Sequence, residues 1–220
     1  MVNDDGARAQ LLALGVRTVP VVARGTQFVF AQNLEDVAVF VGLAGSGHEL
    51  LPPERLIVQW LKVLAAAQCS IGQMPEARMD ERVIDNRDRS IRSLSHHIFR
   101  IAEAFLECVA DGDEYTSAHA AAENPGAPRL NRGEIAAYGD RVMSKLQSWW
   151  DGLAGRSCQQ RVKTFFGEQT MHMLFERSTW HSAQHARQLI AVLERFGIEP
   201  ERRLGAAELA GLPLPEGLWE

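Results

Sequence analysis

The chain has little cysteine and no long hydrophobic run. Its three cysteines, Cys69, Cys108 and Cys158, are far apart and form neither a CxxC pair nor the spacing of a zinc ribbon. An odd, scattered set of this kind is typical of reduced, mostly buried thiols. No apolar stretch approaches the roughly 20 residues that a membrane span needs, so we expect no membrane partner.

The chain also lacks an excess of basic residues. Its formal net charge is −5, which gives no electrostatic reason to expect a nucleic-acid partner. The first ten residues, MVNDDGARAQ, are polar and acidic and do not resemble a signal peptide. We therefore expect a cytoplasmic protein, and a hydrophobic content of 46% is ample for a packed core.

The sequence changes character near residue 44. Residues 1–43 predict a small α–β–β–α unit, with helices over 6–15 and 33–43 and a β-hairpin between them. Two short strands and two helices bury too little surface to be stable alone. This unit must pack against something else, either within the chain or in a second copy.

The composition of residues 44–52 indicates a linker, and the pattern of residues 53–200 is typical of long helices. Four amphipathic helices are predicted, over 53–68, 84–110, 131–153 and 168–197. The third begins with a capping-box pattern, Asn131 to Glu134, and Gly197 ends the fourth. Helices of this number and length favour a four-helix bundle.

The last segment, residues 201–220, is rich in proline and glycine. We expect it to pack on the surface of the bundle through its larger apolar side chains. These are Leu212, Leu214 and Trp219.

Two histidines lie four residues apart in the fourth predicted helix. His181 and His185 are about 40° apart on a helix that turns about 100° per residue. They share a face with Leu174, Leu189 and Val192, so both point into the bundle. His172 and Glu176 fall on the opposite side, where we expect peripheral residues.

The second predicted helix contains adjacent histidines, His96 and His97. Its apolar stripe consists of Leu94, Ile98, Ile101 and Phe105. His97 lies within this stripe and points inward. His96 lies well off it and is expected to be exposed or packed against the N-terminal unit.

Three inward histidines on two helices favour a metal site. An HxxxH pair by itself is a weak signal, but burying three imidazoles costs about 1–3 kcal/mol each unless they find partners. One histidine from one helix and two from another suit a divalent transition metal with an open coordination position. Zinc, nickel, copper and iron all accept imidazole, and we expect zinc or nickel. Ser182 stands where a zincin HExxH motif requires Glu, which excludes that chemistry.

The segments LSHHIFRIAEAFL and ERSTWHSAQHARQLIAVLERFGIEP resemble the DinB-like (DinB/YfiT) metalloprotein superfamily. The resemblance covers roughly residues 53–200 and implies a four-helix bundle with three metal-binding histidines, one from the second helix and two from the last. Carried over to this chain, the ligands are His97, His181 and His185.

The segment GVRTVPVVARGTQFVFAQNLEDVAVFVGL resembles the C-terminal half of a glutaredoxin or thioredoxin fold. Thr18 to Pro20 match the segment with the family's cis-proline, and Val19 would offer its backbone to the cysteinyl part of glutathione. The first strand, the nucleophilic cysteine and the following helix have no counterpart, so redox catalysis is not predicted. The unit is a remnant, a dimer element or part of a thiol-binding surface, unless the start codon is assigned too late.

The DinB-like resemblance implies a metal-dependent thiol S-transferase or isomerase, in which the metal favours the thiolate of a thiol such as glutathione. Its partners would be a small-molecule thiol and an electrophile. Arg100 and Arg177 lie about 60° and 40° from the ligand faces and could meet a substrate carboxylate, or be surface or bridging residues instead. No catalytic residue is identified.

Two other functions stay open. One is a non-catalytic metal-binding stress or interaction protein, and the other is a metal-dependent hydrolase. The uncovered N-terminal unit also leads us to expect a homodimer.

Overall fold

The computed structural model describes residues 5–16, 19–31, 34–43, 48–82, 89–116, 118 and 129–219. Over these ranges the protein is mainly helical, with two small two-stranded sheets. It divides into two compact units, Met1–Glu49 and Leu50–Glu220. Among the described helices, none combines the length and apolarity needed to cross a bilayer. Part of the predicted linker, residues 44–47, lies outside the described residues.

The N-terminal unit has the element order that the sequence predicts: α1 (Asp5–Ala13), β1 (Val21–Arg24), β2 (Gln27–Phe30) and α2 (Leu34–Val41). The strands are antiparallel, with Arg24 opposite Gln27, so a two-residue turn joins them. Gly25 in this turn has a φ of 64°, a conformation that glycine adopts without steric cost. The Val19–Pro20 peptide bond is cis.

The C-terminal unit is built from four long helices: α3 (Pro53–Gln73), α4 (Ile91–Ala110), α5 (Arg132–Gly152) and α6 (Met171–Arg195). Both α3 and α4 pack against α5 and also against α6. Aromatic side chains fill the centre of the core; Trp60, Phe105 and Phe175 lie in mutual contact there. A short helix, α7 (Ala206–Leu209), and a single 3-10 turn (Glu76–Arg78) complete the helical elements of the described residues.

Helix α3 is longer than predicted. Its expected end at residue 68 is wrong, because no helix breaker occurs there and Gly72 continues the helix. Met74 is extended, with a ψ of 128°. Met74 precedes Pro75, whose ring disfavours the helical conformation of the residue before it. The proline therefore ends the helix.

Helix α4 is shorter at its start than the predicted 84–110. It begins at Ile91, where Ser90 caps it by accepting a hydrogen bond from the Ser93 backbone N–H at 3.1 Å. Residues 84–88 lie outside the described residues, and Arg89 precedes the helix.

The predicted start of α6 at residue 168 is also wrong. Residues 161–170 form an antiparallel hairpin, β3 (Arg161–Thr164) and β4 (Gly167–Thr170), and α6 begins at Met171. Thr170 accepts a hydrogen bond from the Met173 N–H and so ends the strand and caps the helix.

The predicted capping box of α5 is confirmed. Asn131 Oδ1 accepts from the Glu134 N–H at 3.0 Å, and Glu134 Oε2 accepts from the Asn131 N–H at 2.7 Å. Further along α5, a Cβ at Gly139 would lie 2.5 Å from the Phe99 ring. The glycine therefore permits close packing of α5 on the α4 face that is turned away from His97.

Candidate metal centre

Three histidines from two helices meet in the C-terminal unit. His97 lies on α4, and His181 and His185 lie on α6. Their ring centroids are 5.3 Å apart for His97–His181, 5.1 Å for His97–His185 and 4.8 Å for His181–His185. One ligand nitrogen from each lies within 4.8 Å of the others, and the cluster could hold a metal ion.

The donor set fits a divalent transition metal. A tetrahedral zinc ion with bonds of about 2.1 Å separates its nitrogens by about 3.4 Å, so small ring rotations would bring the three imidazoles into ligating range. His181 Nδ1 is buried and has no hydrogen-bond partner among the described residues. A buried imidazole nitrogen in this condition carries a desolvation cost that a bound cation would offset.

The three histidines differ in exposure. His97 and His185 are 1% and 4% exposed. His181 is partly exposed, so a small molecule could approach the cluster from its side. An open position beside three protein ligands is the arrangement that catalytic metal sites use.

His181 is suited to metal binding because its surroundings oppose protonation. Burial first, and then the neighbouring His185 and His97, hold the pKa of His181 well below its ordinary value. The guanidiniums of Arg177 and Arg89 lower the pKa further. At neutral pH His181 is therefore neutral, as a metal ligand must be.

One hydrogen-bonded link fixes the two ligand-bearing helices to each other. Ser182 Oγ donates to the Ile98 carbonyl oxygen at 3.3 Å and accepts from Trp60 Nε1 at 3.0 Å. Ser182 follows His181 in sequence, and Ile98 follows His97. The residue that excludes a zincin motif thus connects α3, α6 and α4 directly beside two of the three histidines.

The ring of His185 is held by two further side chains. Its Nδ1–H donates to Gln188 Oε1 at 2.8 Å. Arg89 Nη1 donates to its Nε2 at 3.3 Å. The guanidinium of Arg89 therefore lies beside the nitrogen that is left with a lone pair for a metal.

Arg177, predicted from its helical position, lies close to the cluster. It is one turn before His181 on α6, and its guanidinium lies 4.9 Å from the centroid of the Phe166 ring and 5.9 Å from that of Trp180. Burial lowers its pKa, with Tyr115 acting in the opposite direction, but a guanidinium stays charged at neutral pH. Arg177 and Arg89 therefore make the surroundings of the three histidines cationic.

Arg100 occupies a different environment. It pairs with Glu103 at 3.2 Å and Glu107 at 2.7 Å on its own helix. Tyr138 donates a 2.6 Å hydrogen bond to Glu103 and stacks on His96, with ring centroids 4.9 Å apart. Arg100 thus has the contacts of a bridging residue, and His96 packs on α5 rather than lying exposed.

The expectation that Glu176 is peripheral is wrong. Its side chain is 3% exposed and accepts a hydrogen bond from the Leu51 N–H at 2.7 Å. His172 Nε2–H donates to the Leu51 carbonyl oxygen at 2.7 Å. Together they hold the chain just before α3 against α6, a long-range contact that helical periodicity does not reveal.

Val19 and Pro20 belong to the N-terminal unit and are both exposed. They line an apolar cavity of about 190 Å³ together with Leu11, Leu14 and Val21 of the same unit.

Substituting Ser182 by Ala tests the link between the helices. The buried Trp60 N–H would lose its acceptor, which should lower the free energy of unfolding by about 1–3 kcal/mol. Ser148→Ala, on the exposed face of α5, is the matched control and should change it by less than about 0.5 kcal/mol. Urea unfolding monitored by tryptophan fluorescence measures both; equal stability of the two variants would contradict this role of Ser182.

Sequence reasoning missed Arg89 and gave no role to Gln188. Gln188 carried a signal, because it lies three residues after His185 on the same helical face. Arg89 carried no such signal, since it precedes α4 in the sequence and contacts α6 only in the folded chain.

No protein-family model and no curated protein matches this chain.

Proposed function

We propose that the protein is a metal-dependent thiol S-transferase or isomerase of the DinB-like superfamily. The observation that carries this proposal is the meeting of His97, His181 and His185, of which His181 is partly exposed. Three imidazoles with an open position favour a metal that takes a small-molecule ligand. A zinc or nickel ion bound there would favour the thiolate form of a bound thiol.

The chain's own residues would hold and orient the reactants. The three histidines would bind the metal through their imidazole nitrogens. Gln188 would keep the proton of His185 on Nδ1, so that the lone pair for the metal is on Nε2, the nitrogen that Arg89 contacts. Ser182 holds the two helices in register, so the ligand set does not have to be assembled when the metal arrives.

Two cationic side chains support an anionic thiol as the substrate class. Arg89 and Arg177 both act electrostatically on His181, and no carboxylate belongs to the histidine cluster among the described residues. A guanidinium pairs with a carboxylate through two parallel hydrogen bonds. Glutathione, with two carboxylates and one thiol, matches this combination of metal and guanidiniums.

Replacing His97 by Ala should abolish stoichiometric metal binding, while replacing the adjacent His96 should not. His97 belongs to the cluster, whereas His96 stacks on Tyr138. Loss of one of three ligands should weaken zinc affinity by more than the about 10–100-fold that loss of an outer partner costs. Zinc content after dialysis, measured by plasma mass spectrometry, gives the result.

The same measurement separates the two histidines cleanly. Zinc retained at one equivalent in His97→Ala, or lost equally in His96→Ala, would contradict the assigned ligand set. Circular dichroism of each variant shows whether the helices remain folded, which distinguishes ligand loss from unfolding.

Glutathione should stabilise the metal-loaded protein against heat, because a ligand that binds only the folded state raises the melting temperature. Arg177→Gln should weaken glutathione binding by about 10–100-fold, the equivalent of losing a charged hydrogen bond of about 1.5–3 kcal/mol. Arg100→Gln is the matched control and should leave binding unchanged, because Arg100 is paired with glutamates.

Thermal shift and calorimetric titration measure these affinities. Absence of stabilisation by glutathione and other low-molecular-weight thiols, in protein that holds metal, would overturn the thiol-dependent function and favour the non-catalytic metal-binding alternative. Hydrolysis of an ester or amide without added thiol would favour the hydrolase.

A further inference from the structure

The end of the chain reaches the surroundings of the histidine cluster. Three side chains of α6 that bracket His185 donate to backbone carbonyls of the tail. Gln184 donates to Gly217 O at 3.3 Å and Leu218 O at 2.8 Å, Arg187 to Pro215 O at 3.2 Å, and Gln188 to Leu218 O at 2.9 Å. The Trp219 ring adds a cation–π contact with Arg195 at 4.3 Å.

These contacts determine how the Gln188 amide is oriented. A backbone carbonyl can only accept hydrogen bonds, so the group facing Leu218 O must be the NH₂ of Gln188. Its Oε1 is then the atom 2.8 Å from His185 Nδ1. An oxygen without a hydrogen can only accept, so His185 must carry its proton on Nδ1.

The orientation cannot reverse while the tail is in place. The Leu218 carbonyl oxygen accepts from both Gln184 and Gln188, which uses both of its lone pairs. Gln184 is itself fixed, because its Oε1 accepts from Arg187 Nη1 at 2.8 Å. Flipping the Gln188 amide would set oxygen against oxygen at Leu218.

We propose that Gln188, held by the carbonyl of Leu218, is the positioning residue that fixes the tautomer of His185 and presents its Nε2 lone pair to the metal. The inference rests on the proposed metal site and assigns the C-terminal tail a part in it. Outer-shell hydrogen bonds of this kind raise ligand basicity and typically change metal affinity by about 10–100-fold.

The tautomer of His185 can be measured without metal. In protein labelled with ¹⁵N-histidine, long-range ¹H–¹⁵N correlation spectra should show a protonated Nδ1 and an unprotonated Nε2 for His185. Because Arg89 Nη1 also donates to Nε2, the variant is made in an Arg89→Met background. There Gln188→Met, which keeps the length of the side chain but removes the acceptor, should shift the population toward the Nε2–H form. A wild-type His185 protonated on Nε2 would overturn the proposal, whatever the variants do.

Zinc affinity, measured by competition with a chromophoric chelator, gives the second readout. Gln188→Met should weaken zinc binding by about 10–100-fold. Gln188→Glu keeps an acceptor for the His185 N–H but opposes a carboxylate oxygen to the Leu218 carbonyl, so it should retain the Nδ1–H tautomer and bind zinc more tightly than Gln188→Met. Gln147→Met, the same substitution on the exposed face of α5, where Gln147 bonds Asp151, is the matched control and should leave zinc affinity unchanged.

Truncation before Pro213 tests the tail directly and should weaken zinc binding in the same direction as Gln188→Met, because the amide is then free to rotate. Unchanged tautomer and affinity in Gln188→Met would overturn the positioning role while leaving the metal site intact. A wild-type protein that binds no zinc would instead contradict the metal site itself, so the two failures are distinguishable.

Discussion

The hydrogen bond from Ser182 Oγ to the Ile98 carbonyl oxygen is the contact on which the site depends. It joins the residue after His181 to the residue after His97, so it sets the spacing of two helical turns that carry ligands. The Trp60 N–H completes the link from α3. Without it, the spacing of these two turns would rest on the packing of α4 against α6, and the Trp60 N–H would lose its acceptor.

Neighbouring residues determine the protonation of two of the three histidines. Burial and two nearby guanidiniums keep His181 neutral, and Gln188 fixes the proton of His185. The aromatic core around Phe105 and Phe175 lies in the same unit and fills the space between the helices. The packed helices therefore give the three histidines a rigid support, as pre-organised sites require.

The three histidines could be predicted from the sequence because helical periodicity is local. The phase of the apolar stripe in each helix was enough to separate His97 from His96 and to turn His181 and His185 inward. The capping box of α5 could be predicted for the same reason, since Asn131 and Glu134 are three residues apart. The β3–β4 hairpin was not predicted. β-branched Val162 and Thr164 precede a Phe–Phe–Gly turn, which is a weak strand signal. The predicted helix over 168–197 covered the second strand, so the hairpin was not recognised.

Contacts between distant segments could not be predicted. Leu218 meets Gln188 across 30 positions, and Arg89 meets His185 across 96. Glu176 binds the backbone of Leu51 across 125 positions, which is why a residue on the outer face by periodicity is buried. Such contacts depend on how the helices pack. A single sequence shows which face of each helix is apolar, but not how one helix is positioned and rotated against another.

X-ray absorption spectroscopy of the zinc-loaded protein identifies and counts the atoms bound to the metal, and so tests the three-histidine site. We predict three imidazole nitrogens, from His97, His181 and His185, together with an exchangeable oxygen donor such as water at the open position. Fewer than three imidazole ligands would contradict this site. So would a sulfur ligand from cysteine in protein without added thiol.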